Sequence, residues 1–83
     1  PEQGVAAANA ITVLNYANYI FTGHDFANVH LPGADLSEAH LESVTFHGAS
    51  LRDVRWYRAW LGHADLRHAD LTGAILGERP LSY

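Results

Sequence analysis

The sequence predicts an all-β repeat fold, built from a five-residue unit and preceded by a short N-terminal α-helix. Two observations predict it. A large apolar residue recurs every five positions from Phe21 to Leu81. Two residues before it, from Val29 to Ala74, ten consecutive positions hold Ala or Val. A period of five belongs neither to an α-helix nor to a plain strand, and self-similarity at a short fixed period indicates a repeat architecture.

The five-residue unit predicts a square coil. Positions two apart in an extended segment point to the same side, so Ala64 and Leu66 face inward while Asp65 faces solvent. The other two residues of each unit must turn the chain, and Pro32-Gly33 is a strong signal for a turn with a positive φ at its second residue. Four such sides make a coil of twenty residues, so residues i and i+20 should stack at about 4.8 Å.

The two ends of the chain depart from the period. Residues 1–18 are rich in alanine, and Ala7, Ile11, Leu14 and Ala17 have helical spacing. We expect a helix ending near Asn18 that lies over the first coil, because the end of a stacked coil exposes unpaired backbone. Residues 79–83 form a C-terminal tail in which Pro80 cannot donate a ladder hydrogen bond.

The repeat region, about residues 19–78, resembles the pentapeptide-repeat family with its pattern A-(D/N)-L-x-x. The cleanest copies are GADLS (33–37), GASLR (48–52), HADLR (63–67), HADLT (68–72) and GAILG (73–77). The resemblance implies a right-handed quadrilateral β-helix of about three coils, with residues 1–18 as its capping helix. The chain is most similar to the pentapeptide segments of large bacterial multidomain proteins, between a signalling NTPase region and a WD-repeat propeller. That implies a cytoplasmic spacer or scaffold.

Composition narrows the possible functions. The chain has no cysteine, no apolar run of membrane-spanning length, and a net charge of −4 with five arginines and no lysine, so we expect no membrane span and no direct nucleic-acid binding. Its six histidines fall on different sides and corners, and no nucleophile lies beside a base. We therefore expect no metal, no cofactor and no enzymatic activity. Because the chain begins with Pro1 and lacks methionine, we expect either a processed mature form or a segment of a longer protein, and we favour the segment.

Three sets of residues are candidates for contacts with other proteins. The first is an aromatic surface around the outward residue Trp60, with His40, Tyr57 and His63, since exposed aromatics anchor interfaces. The alternative is that a loop, the N-terminal helix or a fused domain covers this surface. The second is a charge ladder across coils, whose alternative interpretation is a set of weak surface ion pairs that fix register; its members are Asp35, Arg55, Glu38, Arg58 and Glu78. The third is the C-terminal end, where Leu76, Leu81 and Tyr83 are left to cover the last coil.

The sequence predicts two possible partners for the C-terminal end and leaves one alternative function open. The open C-terminal end should meet another protein surface, either a fused downstream domain or a second copy end to end. The alternative is an acidic mimic of duplex DNA that binds DNA gyrase, as fluoroquinolone-resistance proteins of the family do. Arginines are interspersed among the outward acids, and three coils span only about 15 Å. The preferred interpretation is therefore a non-catalytic scaffold or protein–protein interaction module.

Overall fold

The computed structural model describes residues 4–77. Within them the one helix is α1, Val5–Tyr16, two residues shorter at its C-terminal end than the sequence predicts. The rest of the described chain turns every five residues, and its β-structure consists of single-residue parallel bridges rather than extended strands. The predicted tail, residues 79–83, lies outside the described residues.

Every parallel bridge joins residues twenty apart, which is the register that a square coil predicts. The bridges form four columns, one on each side of the coil. Their outward residues are Ile20, His40, Trp60; Asp25, Thr45, Asp65; His30, Ser50, Asp70; and Asp35, Arg55, Ile75. We refer to residues 20–39 as the first layer, 40–59 as the middle layer and 60–77 as the last layer.

The corners are tight turns with one residue in the left-handed region. Each turn is closed by a hydrogen bond from a backbone N–H to the carbonyl three residues earlier, as from Ala34 to Leu31 at 3.2 Å. The third residue of the turn has a positive φ, and at Gly33 the value is 71°. The same conformation recurs every five residues from Asn18 to Gly73. The predicted turn chemistry is confirmed at Pro32-Gly33.

Not all of these corners are occupied by glycine or asparagine. Six corners hold other residue types, with φ values from 57° to 63°: Glu38, Ser43, Asp53, Arg58, His63 and His68. A left-handed conformation costs a residue with a Cβ about 1–2 kcal/mol. The repeated ladder of interlayer hydrogen bonds therefore sets the conformation of these residues against their own preference.

The inward positions of the period form the core, as predicted. In the first and middle layers the large residues except the partly buried Phe26 are almost completely buried, and so are most of the small ones. The buried set is Phe21, Leu31, Ala34, Leu36, Ala39, Leu41, Val44, Phe46, Ala49, Leu51, Val54 and Trp56, together with Ala8 and Ile11 of α1. Burial decreases in the last layer, where Leu71 is 39% and Leu76 72% exposed.

Trp56 fills an inward position without disturbing the register, although its size predicts either a wider coil or a local bulge. The bridge from Arg55 to Ile75 is intact, and the Trp56 N–H donates to the Ile75 carbonyl at 2.8 Å. The indole ring packs edge-on against Phe46 at 5.9 Å. Its Nε1–H is buried and has no hydrogen-bond partner among the described residues, so the fit carries a polar cost.

Helix α1 covers part of the first layer and makes the hydrogen bonds with it that a preceding coil would make. Thr12 Oγ1 accepts a hydrogen bond from the Asp35 N–H at 2.9 Å, and Asn15 Nδ2 donates to the carbonyls of Asp35 and Ser37 at 3.2 and 2.9 Å. These are the backbone groups that would pair with a preceding coil. Two side chains of α1 thus satisfy the open edge of the fourth side.

The buried face of α1 differs from the one that the apolar spacing predicts. Ala8, Ile11 and Asn15 are buried, whereas Ala7 is exposed and Leu14 is 44% exposed. The reason is a pair of hydrogen bonds, because the Asn15 side chain must point at the first layer to donate to the two carbonyls. Over the first two sides a cluster of aromatic rings, including His24 with its Nε2 3.0 Å from the Tyr19 hydroxyl, forms the rest of the cover.

Candidate interaction groove

The first column presents apolar and aromatic side chains to solvent. Its outward residues are Ile20, His40 and Trp60, and of these Ile20 is 58% and Trp60 56% exposed. The His40 ring stacks on the Trp60 ring with centroids 5.4 Å apart. The residues that follow the three column positions belong to the core or pack against it: Phe21, Leu41 and Leu61. The outward side chains are therefore neighbours of one another along the column, one layer apart.

The first column lies in a groove of about 830 Å³ that we name the side-one groove. One end is formed by the last turn of α1 and the residues that follow it, and one wall by the corner between the fourth and first sides. The lining residues are Asn15, Tyr16, Asn18, Tyr19, Ile20, Ser37, Glu38, His40, Arg58 and Trp60. A concave surface of this composition can hold a peptide segment.

The structure brings only half of the predicted aromatic surface together. Trp60 and His40 both line the side-one groove, as the outward column predicts. Tyr57 and His63 do not: Tyr57 is half-buried with the Arg58 guanidinium 5.8 Å from its ring centre, and His63 is an exposed corner residue. Neither residue lines the groove, although Arg58, the chain neighbour of Tyr57, does.

Sequence reasoning missed Tyr16, Tyr19 and Asn18. Tyr16 and Tyr19 are 68% and 44% exposed, and they add two rings at the helix end of the groove. Asn18 begins a corner column that continues twenty residues later at Glu38 and again at Arg58. The twenty-residue register places these three corners one above another, so it could have predicted this wall, and all three line the groove.

Asp35 links the helix end of the groove to the repeat. Its carboxylate accepts hydrogen bonds from the Tyr16 hydroxyl at 2.9 Å and from the Ser37 N–H at 3.0 Å. Partial burial opposes ionisation of Asp35, but these hydrogen bonds and the charge of Arg55 outweigh it and lower the pKa of the carboxyl group. The same hydrogen bond, together with the negative charge, raises the pKa of Tyr16.

The predicted charge ladder places Asp35 directly above Arg55 in the fourth column. Arg55 affects Asp35 through its charge, while Glu38 and Arg58 occupy successive corners of the groove wall. Glu78 lies outside the described residues. Ion pairs are also present outside the ladder, from Arg52 to Asp70 at 3.2 Å and from Arg67 to Asp65 at 2.9 Å. Because Arg67 donates to Asp65 through its side chain and its backbone N–H, the pKa of Asp65 lies far below its usual range.

The third predicted set, at the C-terminal end, is described in part. Leu76 is 72% exposed at the end of the last layer. Leu81 and Tyr83 lie outside the described residues. Over residues 4–77, no group of three or more histidine and acidic side chains could hold a metal ion. In the same part of the chain, no helix has both the length and the hydropathy needed to cross a membrane.

The comparisons with known proteins agree with the period-five pattern. A family model described as pentapeptide repeats matches residues 20–55 and 57–78 in eight copies, which is well over half of the chain. None of the curated proteins matches the sequence. The matched residues are the ones that form the four bridge columns and the corners between them. The chain therefore belongs to the pentapeptide-repeat family.

Proposed function

We propose that this chain is a non-catalytic protein–protein interaction module, a rigid scaffold that binds a protein partner in the side-one groove. The observation that carries the proposal is the outward column with Ile20 and Trp60 more than half exposed and His40 stacked on Trp60. Tryptophan and tyrosine are the residues on which binding energy concentrates at protein interfaces. Because these side chains are exposed together in a concave surface, they favour binding of a protein partner there.

The scaffold is the second part of the proposal. We infer a right-handed quadrilateral β-helix of about three coils, supported by bridges that all join residues twenty apart. The proposal includes a bacterial cytoplasmic protein in which the segment spaces other domains. The exposed Leu71 and Leu76 support a contact at the C-terminal end with a fused downstream domain or a second copy.

A non-catalytic role fits the chemistry of the titratable groups. The carboxyl groups of Asp35, Asp65 and Asp70 all have lowered pKa values, and all three accept a hydrogen bond from the backbone N–H two residues later. Their shifts follow from turn geometry and charge partners. A general base or nucleophile needs its pKa adjusted in a cleft that holds a substrate, and these three groups serve the repeat instead.

Mimicry of duplex DNA, the alternative, receives less support from the charge pattern. Two of the outward acids, Asp65 and Asp70, are paired with Arg67 and Arg52. Such pairing interrupts the negative surface that a DNA mimic presents. A gyrase supercoiling assay at low salt separates the two functions, because a DNA mimic inhibits it and an interaction module of the proposed kind leaves it unchanged.

The experiment that tests the proposed function is site-specific photo-crosslinking in cells that produce the protein. A benzophenone amino acid at Ile20, inside the groove, should yield one or a few discrete protein adducts that Trp60→Ala removes. The matched control is the same amino acid at Val13, which is 65% exposed on α1 and does not line the groove. Equal adducts from both positions, or none from Ile20, would overturn the proposal.

A further inference from the structure

We propose that the side-one groove recognises a proline-rich segment in the polyproline II conformation. The proposal deepens the proposed function and rests on it. Ile20 and Trp60 stand at the two ends of one column, two layer spacings or about 9.6 Å apart. A polyproline II helix has three residues per turn and rises about 3.1 Å per residue, so its side chains repeat every 9.3 Å or so. One turn of such a ligand therefore matches the column.

Other extended or helical ligands fit the column less well. Along a β-strand the side chains of one face recur at about 6.6–6.8 Å, which matches neither one layer spacing nor two. An α-helix is about 10–12 Å across with its side chains, so its backbone stands far from the groove floor. A polyproline II segment is narrow, and its proline rings can pack against the exposed surface of Trp60, which is stacked with His40 in the groove.

The groove also offers hydrogen-bond donors that have no acceptor within the described part of the chain. The Trp60 indole N–H and the Asn18 side-chain amide make no hydrogen bond with any other residue in the range 4–77, although both residues line the groove. Trp60 belongs to the last layer, and Asn18 lies beside the first. A polyproline II chain has no internal hydrogen bonds, so its carbonyl groups remain available as acceptors along its whole length. The two unused donors and the acceptor-rich ligand are complementary.

Charge decides which residue should flank the prolines. Glu38 lines the wall of the groove, and the Asp35 carboxylate lies beside its helix end, held by Tyr16. The lowered pKa of Asp35 keeps this carboxylate ionised at neutral pH. Arg55 and Arg58 place positive charge one layer further along the same column and wall. An arginine or lysine next to the prolines is therefore expected at the helix end, where the carboxylates of Asp35 and Glu38 lie. The expected ligand is a proline-rich segment with a flanking basic residue.

The first test is an unbiased selection of random dodecapeptides displayed on phage against the whole 83-residue chain. Enrichment of sequences with prolines three apart and a neighbouring Arg or Lys supports the inference. Enrichment of another peptide class would overturn the inference and leave the proposed function standing. If no peptide is enriched whose binding depends on Trp60, and the crosslinking experiment also fails, both the inference and the proposed function are overturned.

The second test measures affinity with two defined probes. One is a decapeptide with prolines three apart and a terminal arginine; the other has the same composition except that glycine replaces every proline. We expect a dissociation constant on the order of 100 μM for the first probe, and binding at least tenfold weaker for the second, because the glycine chain is not preorganised. Equal affinities would contradict recognition of a polyproline II helix.

Variants locate the site and separate its parts. Trp60→Ala should weaken the proline probe at least tenfold, Trp60→Phe should weaken it less because it removes only the N–H and part of the ring, and Asn18→Gly should remove a donor without disturbing the corner. The control is Val13→Ala, an exposed position of α1 outside the groove, which should change nothing. A Trp60→Ala protein that melts normally and binds the probe as tightly as the parent would overturn the proposal.

Discussion

At the scale of single residues, Gly4 meets the most demanding backbone position. It precedes α1 with φ at 89°, and a Cβ added there would collide with the backbone carbonyl of His30. Gly62 differs in both respects, because its φ is not in the left-handed region and a Cβ would enter open space. The period places the positive φ of that corner at His63 rather than at Gly62. The space around each glycine cannot be deduced from the sequence, because it depends on which residues lie next to it in the fold.

These surroundings predict opposite effects for the same substitution. Gly4→Ala should lower the free energy of unfolding by about 2 kcal/mol or more, since it adds left-handed strain to a backbone collision. Gly62→Ala should raise it by about 0.4–1 kcal/mol by reducing the freedom of the unfolded chain. Urea denaturation measures both. Equal effects of the two substitutions would show that α1 does not depend on its close approach to His30.

The Asp35 carboxyl group makes stability depend on pH. Its pKa is lower in the folded protein than in the unfolded chain, where aspartate titrates near pH 3.9 or so. The folded state therefore binds fewer protons, and its stabilisation is complete above the unfolded pKa and is lost as the pH falls through the folded pKa. The melting temperature should decrease below about pH 4.

Asp35→Asn isolates this contribution from those of Asp65 and Asp70, whose pKa values are also lowered. The amide keeps an acceptor for the Ser37 N–H but cannot be protonated in this range. Melting temperatures recorded from pH 7 to pH 2 should fall less steeply below pH 4 for the variant than for the parent. Parallel curves would mean that Asp35 does not contribute to the acid sensitivity.

At the scale of elements, the existence of α1 could be predicted and its orientation could not. Alanine content and apolar spacing indicate a helix, and the structure has one at Val5–Tyr16. The spacing of Ile11 and Leu14 predicts an apolar buried face. Instead, Thr12 accepts a hydrogen bond from the first layer and Asn15 donates to it, and with these contacts Leu14 is 44% exposed. A repeat end needs polar groups as much as apolar cover, and that need is invisible in a hydrophobic pattern.

Two asparagines of α1, one that contacts the first layer and one that does not, test whether the hydrogen bonds of the helix stabilise the protein. Asn15→Leu should lower the free energy of unfolding by about 1–3 kcal/mol, because the carbonyls of Asp35 and Ser37 lose their donor. The control is Asn9→Leu in the same helix, an exposed position with no such contact. Thermal or urea unfolding followed by circular dichroism measures both. A loss of stability in Asn9→Leu as large as in Asn15→Leu would refute the role of the amide.

At the scale of the whole molecule, the four-sided register could be read from the sequence because one period controls burial, turns and pairing together. The inward leucines, the Pro32-Gly33 turn and the offset of twenty all follow from it. The side-one groove could be predicted only in part. Trp60 and His40 follow from the outward column, whereas Tyr16, Tyr19 and Asn18 enter the groove through the position of α1, which the period does not specify.

The same register predicts a gradient of protection from hydrogen exchange along the stack. Phe26, Phe46 and Leu66 occupy equivalent inward positions of the second side, one in each layer. The Phe26 N–H donates to Thr45 at 2.8 Å and the Phe46 N–H to Asp65 at 2.7 Å, whereas the Leu66 N–H donates no hydrogen bond within residues 4–77. Exchange monitored by NMR should be slow at Phe26 and Phe46 and fast at Leu66, because the Leu66 N–H has no acceptor among the described residues.

A dilution series turns this gradient into a test of the C-terminal end. If a second copy covers the last layer, protection at Leu66 and the exposed Leu71 should rise with protein concentration, and light scattering should report a dimer at the same concentrations. If a fused downstream domain is the natural cover, Leu66 should stay unprotected in this chain at every concentration and become protected in a chain extended by that domain. Strong, concentration-independent protection in the 83-residue monomer would contradict both forms of the proposed end contact.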